Sequence, residues 1–560
     1  MKFSSSLFAG LHKKYQALLI HYSPNTYFYE MENVSLIILL LFGITFLGLL
    51  SVRYNFPFPI ILVLSGIAIS LIPGLPVISL NPEIVFVIFL PPILYAAAWN
   101  TSWHNFKAAI SPIARAAVGL VLFTTLLVAI AAHMLIPGLS WPLAFLIGAI
   151  VSPPDAVAAT AVTKGLGLHP RLVAVLEGES LVNDASGLIA YKYALAAIMA
   201  GNFVLWEASL NFLLVVTAGV AIGLAIGYII YLIHKNFVCD PVIEVTLTFL
   251  TPFASYLLAE HFHFSGVIAV VTTGLYLSFR SGQMFSHESR IMAYSVWEVI
   301  IFILNSLIFI LLGLQLRSVI KGIGDYPAGT LALYGIIISA VVIIVRFIWI
   351  LPRVAVPALR RRMLKDKLDP RNIVVFSWAG MRGVVSMAAA LALPLTLGNN
   401  TPFPFRNLII YLTFCVIVST LVLLGFTLPW IIKKLKLPKY SMEAEEYEVR
   451  NHVVTESITH IEENLSRVQD TLLNNIKSKY EVKYNRLQRT DLPANYFGDG
   501  KTLGANVFNE YTQLQIDMIA VERKTVERLH REGKSSDEIL RKIEKELDLE
   551  ETRLKMEMYQ

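Results

Sequence analysis

Long apolar runs alternate with short polar loops over the first 435 residues, and the pattern then changes. Runs long enough to cross about 30 Å of hydrocarbon predict about thirteen spans, at residues 33–52, 57–73, 83–99, 110–135, 141–163, 171–200, 204–234, 241–259, 264–280, 294–317, 328–351, 373–397 and 405–433. Beyond them, apolar residues recur at helical spacing between charges. The pattern predicts an all-α polytopic membrane protein, with an N-terminal extension (1–32), a transmembrane domain (33–435) and a helical cytoplasmic tail (436–560).

The composition agrees with this prediction. The 560 residues are 56% hydrophobic and 15% charged, whereas soluble proteins carry about 25% charged residues. The net charge of +6 does not require nucleic acid, because Lys and Arg gather in the cytoplasmic loops of membrane proteins. We therefore predict the lipid bilayer as a partner and no nucleic acid.

The basic loops predict the orientation of the chain. Four polar loops are rich in Lys, Arg or His, at residues 163–171, 280–290, 360–371 and 433–436, whereas the loops on the opposite side are nearly uncharged. With thirteen spans and the N-terminus outside, all four basic loops face the cytoplasm, as the positive-inside rule requires. We expect a multi-pass protein of the inner cell membrane with a cytoplasmic tail.

The sixth span contains a cluster of polar residues. In the stretch LEGESLVNDASG, five of them fall within about two helical turns: Glu177, Glu179, Ser180, Asn183 and Asp184. Residues four apart share a helix face, so Ser180 and Asp184 form one face, and Glu179 and Asn183 form the next. A hydroxyl and a carboxylate on one face are a partial oxygen shell for a hard monovalent cation, and the cluster has no His or Cys to favour zinc or copper.

Two further spans are interrupted. In span five, Pro153 and Pro154 precede Asp155, and in span twelve Arg382 stands between glycines in the stretch GMRGVVSM. Broken backbone at membrane depth is tolerated where protein buries it or where it lines a watery cavity, and its free carbonyls can coordinate a cation. We therefore expect Pro154 and Asp155 at a cation site. Because the two spans are seven apart, the breaks predict inverted repeats with two discontinuous crossing helices.

Arg382 requires an acidic partner, because an unpaired guanidinium within an apolar span is very costly. Glu179 is the best candidate, since Asp184 and Asp155 are better placed on the ion. We predict a buried ion pair between Glu179 and Arg382 that holds spans six and twelve together and has a structural role.

These motifs, with LPPILYAAAW in span three, resemble the bacterial sodium/proton exchangers (NhaP-like) of the monovalent cation/proton antiporter-1 family. The resemblance covers about residues 33–435, in the order and spacing of the family. It implies that Asp184 binds cation and proton alternately, and that Asp155, Ser180 and Asn183 contribute to the site. It also implies the buried Glu–Arg pair, a homodimer and no cofactor, with Na⁺ as the transported ion.

Two positions depart from the pattern of some relatives. Ala96 stands where many relatives have an acidic residue in span three, so one carboxylate of the ion shell is missing. Asn183 precedes the key aspartate, whereas electrogenic relatives have Asp there. The resemblance therefore implies an electroneutral exchange of one cation for one proton.

The predicted function is the exchange of cytoplasmic Na⁺, or of Li⁺ or K⁺, for external H⁺ by alternating access, with the two ions competing for Asp184. Oxygen ligands do not decide between Na⁺ and K⁺, so a K⁺/H⁺ antiporter of the same fold is the alternative. An intramembrane aspartyl protease, which needs two aspartates within membrane spans, fits poorly. The GIGD stretch of this chain, which ends at Asp325, lies in a polar loop and not within a span. A signalling protein also fits poorly, because the tail has no kinase or nucleotide-binding pattern.

Overall fold

The structure is a computed structural model that describes residues 24–54, 56–73, 81–163, 168–200, 205–237, 240–285, 287–323, 326–355, 371–397, 401–436, 442–464, 474, 476–481, 505–533 and 535–558. These residues form helices joined by turns, so the all-α prediction is confirmed. Residues 1–23 of the predicted N-terminal extension lie outside the described residues, as do Asp325 and most of the basic loop at 360–371. Residues 24–32 continue the first helix.

The first half of the membrane domain contains nine helices in the described ranges. They are α1 (Pro24–Tyr54), α2 (Phe58–Ser70), α3 (Pro82–Asn100), α4 (Trp103–Ala108), α5 (Ile110–Leu135), α6 (Trp141–Val151), α7 (Ala156–Thr163), α8 (Pro170–Ala200) and α9 (Leu205–Phe237). The two prolines after α6 end that helix, because proline lacks an N–H group and its ring clashes with the preceding turn. The predicted fifth span is therefore the helix pair α6 and α7.

The second half and the tail supply eleven further helices in the described ranges. They are α10 (Pro241–His261), α11 (Gly266–Met284), α12 (His287–Leu314), α13 (Leu316–Gly322), α14 (Ala328–Ala355), α15 (Asn372–Trp378), α16 (Val384–Leu391), α17 (Arg406–Leu435), α18 (Met442–Asn464), α19 (Ala505–Glu532) and α20 (Asp537–Met558). The predicted twelfth span is a second helix pair, α15 and α16.

Each of the thirteen predicted spans coincides with a helix or with one of these pairs. In the part of the chain that the structure describes, seven helical stretches are long and apolar enough to cross a membrane: α3, α5, 210–237, α10, 288–322, 328–350 and α17. Four shorter apolar stretches accompany them, at 38–54, 58–70, 141–151 and 266–281. The exact number of crossings stays a prediction.

Small residues let the membrane helices pack closely around the interrupted pairs. Gly66 of α2 and Gly313 of α12 face each other, and a Cβ atom added to Gly313 would lie 2.9 Å from the Cα atom of Gly66. Such contacts between small residues allow helix backbones to approach in a membrane, where no hydrophobic effect drives helices together. The interior beside α6 and α16 is made of buried alanine and aliphatic residues, including Ala144, Ala388 and Ala390.

The C-terminal tail is helical where it is described. Helices α18, α19 and α20 pack around buried apolar residues that include Val453, Val526 and Ile543. Residues 482–504 of the tail lie outside the described residues. Helix α20 also packs against α12 of the membrane domain, which brings the tail to one end of the helix assembly.

Candidate cation-binding site

The breaks in the two interrupted helix pairs lie side by side. The N–H group of Asp155 donates a hydrogen bond to the carbonyl of Met381 over 2.8 Å, and Pro154 and Arg382 form an isolated antiparallel β-bridge. Each break therefore satisfies backbone groups of the other, which otherwise would be costly to bury. A Cβ atom on Gly383 would overlap the carboxylate of Asp155. Glycine at this position is what lets the two segments come so close.

The side chain of Arg382 binds the backbone of the first break. Its Nη1 atom donates a hydrogen bond of 2.6 Å to the carbonyl of Ser152, directly after α6, and its backbone N–H group donates to Thr420 Oγ1 over 3.0 Å. The last carbonyls of a helix lack partners within the helix and carry partial negative charge, so a guanidinium stabilises them. Arg382 is only 2% exposed, so these hydrogen bonds lie in the protein interior.

The predicted ion pair between Glu179 and Arg382 is wrong. Glu179 of α8 instead pairs with Arg346 of α14, through two hydrogen bonds of 2.7 and 2.6 Å between the guanidinium and the two carboxylate oxygens. Arg346 also donates to the carbonyl of Phe376, and its guanidinium lies 4.5 Å from the centre of the Phe376 ring. A Cβ atom on Gly380 would lie 2.6 Å from Cδ of Arg346, so the glycine leaves the space through which this side chain passes.

A cavity of about 230 Å³ lies where the two breaks meet α8. Four residues predicted at the site line it: Asp184, Asp155, Ser180 and Pro154. Asp184 is only 7% exposed and shares the cavity wall with the carboxylate of Asp155. Two carboxylates and a hydroxyl are oxygen ligands of the kind that a hard cation takes.

Asn183 is beside the cavity rather than on its wall. Its side-chain amide donates a hydrogen bond of 2.8 Å to the carbonyl of Pro154, and the residue is completely buried. The bond joins α8 to the first break, so Asn183 fixes the position of Pro154 and Asp155 relative to Asp184. Asp184 is the next residue of α8 and lines the cavity. Adjacent residues of a helix point in different directions, so Asn183 and Asp184 reach different neighbours.

Five other polar residues on the cavity wall had no predicted role: Asn100, Thr160, Glu177, Asn305 and Ser386. Glu177 precedes Asp184 by seven residues, which is two helical turns, so the spacing alone could have placed both on one face. Asn305 stands in the apolar run IFILNSLIFI, and a lone amide there is a usable signal. Ala96, at the position of the missing acidic residue, is not among the lining residues, whereas Ala97 is.

Interrupted helices around buried carboxylates, in a protein of apolar helices, define a secondary ion transporter. A family model described as "Sodium/hydrogen exchanger, transmembrane" matches residues 36–434. The chain belongs to this family of cation/proton antiporters, as its sequence motifs predicted, and it is a transporter rather than an enzyme.

Individual relatives agree with this assignment. A "Sodium, potassium, lithium and rubidium/H(+) antiporter" of Bacillus pumilus is 33% identical over 446 residues, which cover 77% of this chain and 66% of the relative. An "Uncharacterized Na(+)/H(+) exchanger" of Mycobacterium tuberculosis is 30% identical and covers 90% of this chain and 92% of its own length. The Na(+)/H(+) antiporter ApNhaP of Aphanothece halophytica is 32% identical, over 73% of this chain and 75% of that protein.

The fold is also similar to that of a solved structure. The sodium proton antiporter MjNhaP1 from Methanocaldococcus jannaschii at pH 8 matches with a TM-score of 0.55 and 20% sequence identity. The match covers 72% of this chain and 99% of that chain.

Proposed function

We propose that this protein exchanges cytoplasmic Na⁺ for external H⁺, and that the two ions compete for Asp184. The observation that carries the proposal is the position of Asp184, buried in the 230 Å³ cavity with Asp155 and Ser180. A bare carboxylate in such surroundings is unfavourable, and either a proton or a cation neutralises it. One carboxylate cannot hold both at once. The competition therefore couples the two fluxes without a nucleotide or a cofactor.

The remaining residues of the site have supporting roles in this proposal. Asp155, Ser180 and the carbonyl of Pro154 provide further oxygen atoms for the cation, while Asn183 positions the break. Because Asn183 is neutral where electrogenic relatives have an acid, we propose that one proton is exchanged for one cation without net charge movement. K⁺/H⁺ exchange at the same site is the second candidate, since the Bacillus pumilus relative is named for several alkali cations.

We also propose how the chain is arranged in the bilayer. Thirteen spans with the N-terminus outside place the tail in the cytoplasm of the inner membrane, and the two interrupted helix pairs cross at the centre of inverted repeats. The pairing of the breaks through Asp155 and Met381 supports the crossing, and the basic loops support the orientation. A homodimer belongs to the same proposal. A variant without Cys239 and Cys415 that carries Lys524→Cys has its one thiol at an exposed position of α19. This thiol should react with a membrane-impermeant reagent in everted vesicles and not in intact cells.

The decisive experiment compares wild type with Asp184→Asn in everted vesicles from cells that lack other antiporters. We expect Na⁺ to dissipate the proton gradient in the wild type and not in the variant. Glu83→Gln, which alters an exposed carboxylate outside the cavity, is the matched control and should keep full activity. Parallel titrations with Na⁺, Li⁺ and K⁺ identify the preferred cation, and a membrane-potential dye tests electroneutrality. Exchange that persists in Asp184→Asn would refute the mechanism.

A further inference from the structure

The C-terminal helix α20 is fastened to the membrane domain by a buried ion pair. Arg290 of α12 donates two hydrogen bonds, of 2.9 and 2.7 Å, to the two carboxylate oxygens of Asp548. The two side chains are 6% and 2% exposed, and Arg523 of α19 reaches the same carboxylate over 3.0 Å. Because a bidentate arginine–carboxylate pair fixes geometry as well as supplying energy, the contact holds α20 in one position on the membrane domain.

A second contact places a positive charge at the end of α3. The guanidinium of Arg541 donates to the carbonyl of Trp99 over 2.7 Å, and to the carbonyl and the side-chain oxygen of Asn100 over 3.2 Å each. It also contacts the hydroxyl of Ser278 over 3.2 Å. Trp99 and Asn100 are the last residues of α3, so Arg541 caps carbonyls that the helix itself leaves without partners.

The capped helix end is shared by two cavities. Asn100 lines the 230 Å³ cavity that contains Asp184, and it also lines a cavity of about 580 Å³ between the membrane domain and the tail. Glu538 and Arg541 of α20 line the second cavity. The tail therefore lies at the end of α3 that the two cavities share.

Glu177 is the carboxylate at this end of the ion cavity. It lies two turns of α8 before Asp184, and the charges of Arg541 and Glu538 both act on it across the interface. A positive charge held close to a carboxylate reduces the attraction of that carboxylate for any further cation. The docked arginine and an entering cation thus interact with the same negative group.

We propose that helix α20 gates access to the cation site, with Arg541 competing with the incoming cation for the entry carboxylate Glu177. While the helix is docked, the guanidinium reduces cation entry. When the helix moves away from α3, Glu177 is free to attract a cation and pass it to Asp184. The inference rests on the proposed antiport function and adds a point of control to the same site.

The test is a double-mutant cycle in vesicles that expose the tail to the bath. Arg541→Gln should lower the KM for bath Na⁺ by about threefold, the lower end of the coupling between interacting residues. Glu177→Gln alone should raise the KM. In the Glu177→Gln background, Arg541→Gln should have no further effect, because its target is gone. Arg541→Lys, which keeps the charge, should stay close to wild type.

The control is Arg528→Gln, which removes an exposed arginine of α19 whose partner, Glu456, lies in the tail itself. It should leave the KM unchanged. An unchanged KM in Arg541→Gln, or equal effects of this substitution with and without Glu177, would overturn the gate. Wild-type exchange and the Asp184→Asn variant, measured in the same vesicles, report separately on the antiport function, so failure of the gate and failure of the function are distinguishable.

Discussion

At the scale of single residues, two buried arginines of the membrane domain have different partners. Arg346 neutralises Glu179 inside the membrane domain, while Arg382 binds the carbonyl of Ser152 at the break after α6. Both side chains are almost fully buried, at 3% and 2% exposure. The distinction predicts different consequences of removing each one.

Replacing Arg346 by Met should leave Glu179 as a buried charge without its partner. We expect a loss of about 3–5 kcal/mol in the free energy of unfolding, the usual cost of breaking a buried pair. The double variant Glu179→Gln/Arg346→Met should recover most of this loss, because neither charge then remains. Thermal unfolding of the purified protein in detergent measures both effects. A Glu179→Gln/Arg346→Met variant that is as unstable as the single one would contradict the assigned pair.

Sequence alone could not choose between these arginines. Arg346 and Arg382 both stand in apolar runs, and both are far along the chain from Glu179. The choice depends on the space beside Gly380 and on the ring of Phe376, which guide Arg346 toward α8. The cluster around Asp184 was predictable because its spacing on one helix is local. Pairing between distant helices is not local.

At the scale of elements, the site depends on how closely the two breaks approach. The prolines of the first break and the glycines of the second were visible in the sequence, so the interrupted helices could be predicted. The hydrogen bonds between the two breaks, such as that from Asp155 to Met381, depend on tertiary packing and could not be predicted from the sequence.

The approach of the breaks makes Gly383 sensitive to any side chain. In Gly383→Ala, the new methyl group would overlap the carboxylate of Asp155 and displace it from the cavity. We expect cation exchange to be lost, with a stability cost of about 1–3 kcal/mol from overpacking. Gly43→Ala is the matched control, because a Cβ atom there would have no neighbour within 4 Å. Full exchange activity in Gly383→Ala would show that the breaks have more freedom than the structure indicates.

At the scale of the whole molecule, the tail and the membrane domain form one structure. The helical nature of the tail was predictable from its apolar spacing. The docking of the tail on the membrane domain could not be predicted. Asp548 and Arg541 are two of many charged residues on amphipathic helices, and the sequence does not show that these two contact the membrane domain.

The junction between α19 and α20 predicts a pH dependence of this docking. The carboxylate of Asp537, whose Oδ1 atom lies 3.5 Å from Nε2 of His530, raises the pKa of His530 above its ordinary value of 6.5, and Glu544 acts in the same direction while burial and Arg541 oppose it. The stabilisation is therefore complete below pH 6.5 and is lost as the pH rises through the raised pKa. Asp537 also contacts Ser102 of the membrane domain, so the pair lies at the interface.

Hydrogen exchange of α20 should detect this dependence. Between about pH 6 and about pH 8, and after correction for the intrinsic exchange rate, protection of α20 should fall in the wild type. His530→Gln should flatten the profile, whereas His452→Gln, at an exposed position of α18, should retain the wild-type profile. A profile that remains steep in His530→Gln would assign the dependence to another group.

The buried pair of Glu179 and Arg346 also has a consequence for biosynthesis. The two residues are 167 positions apart in the chain, and Ser152 and Arg382 are separated by 230 positions. At a synthesis rate of about 5–20 residues per second, Glu179 is made roughly 8 to 33 s before its arginine. During this interval α8 is present without the Arg346 guanidinium that neutralises the Glu179 carboxylate. The membrane core is therefore completed late, and a nascent chain that stalls before Arg346 exposes an unneutralised acid to the quality-control machinery of the cell.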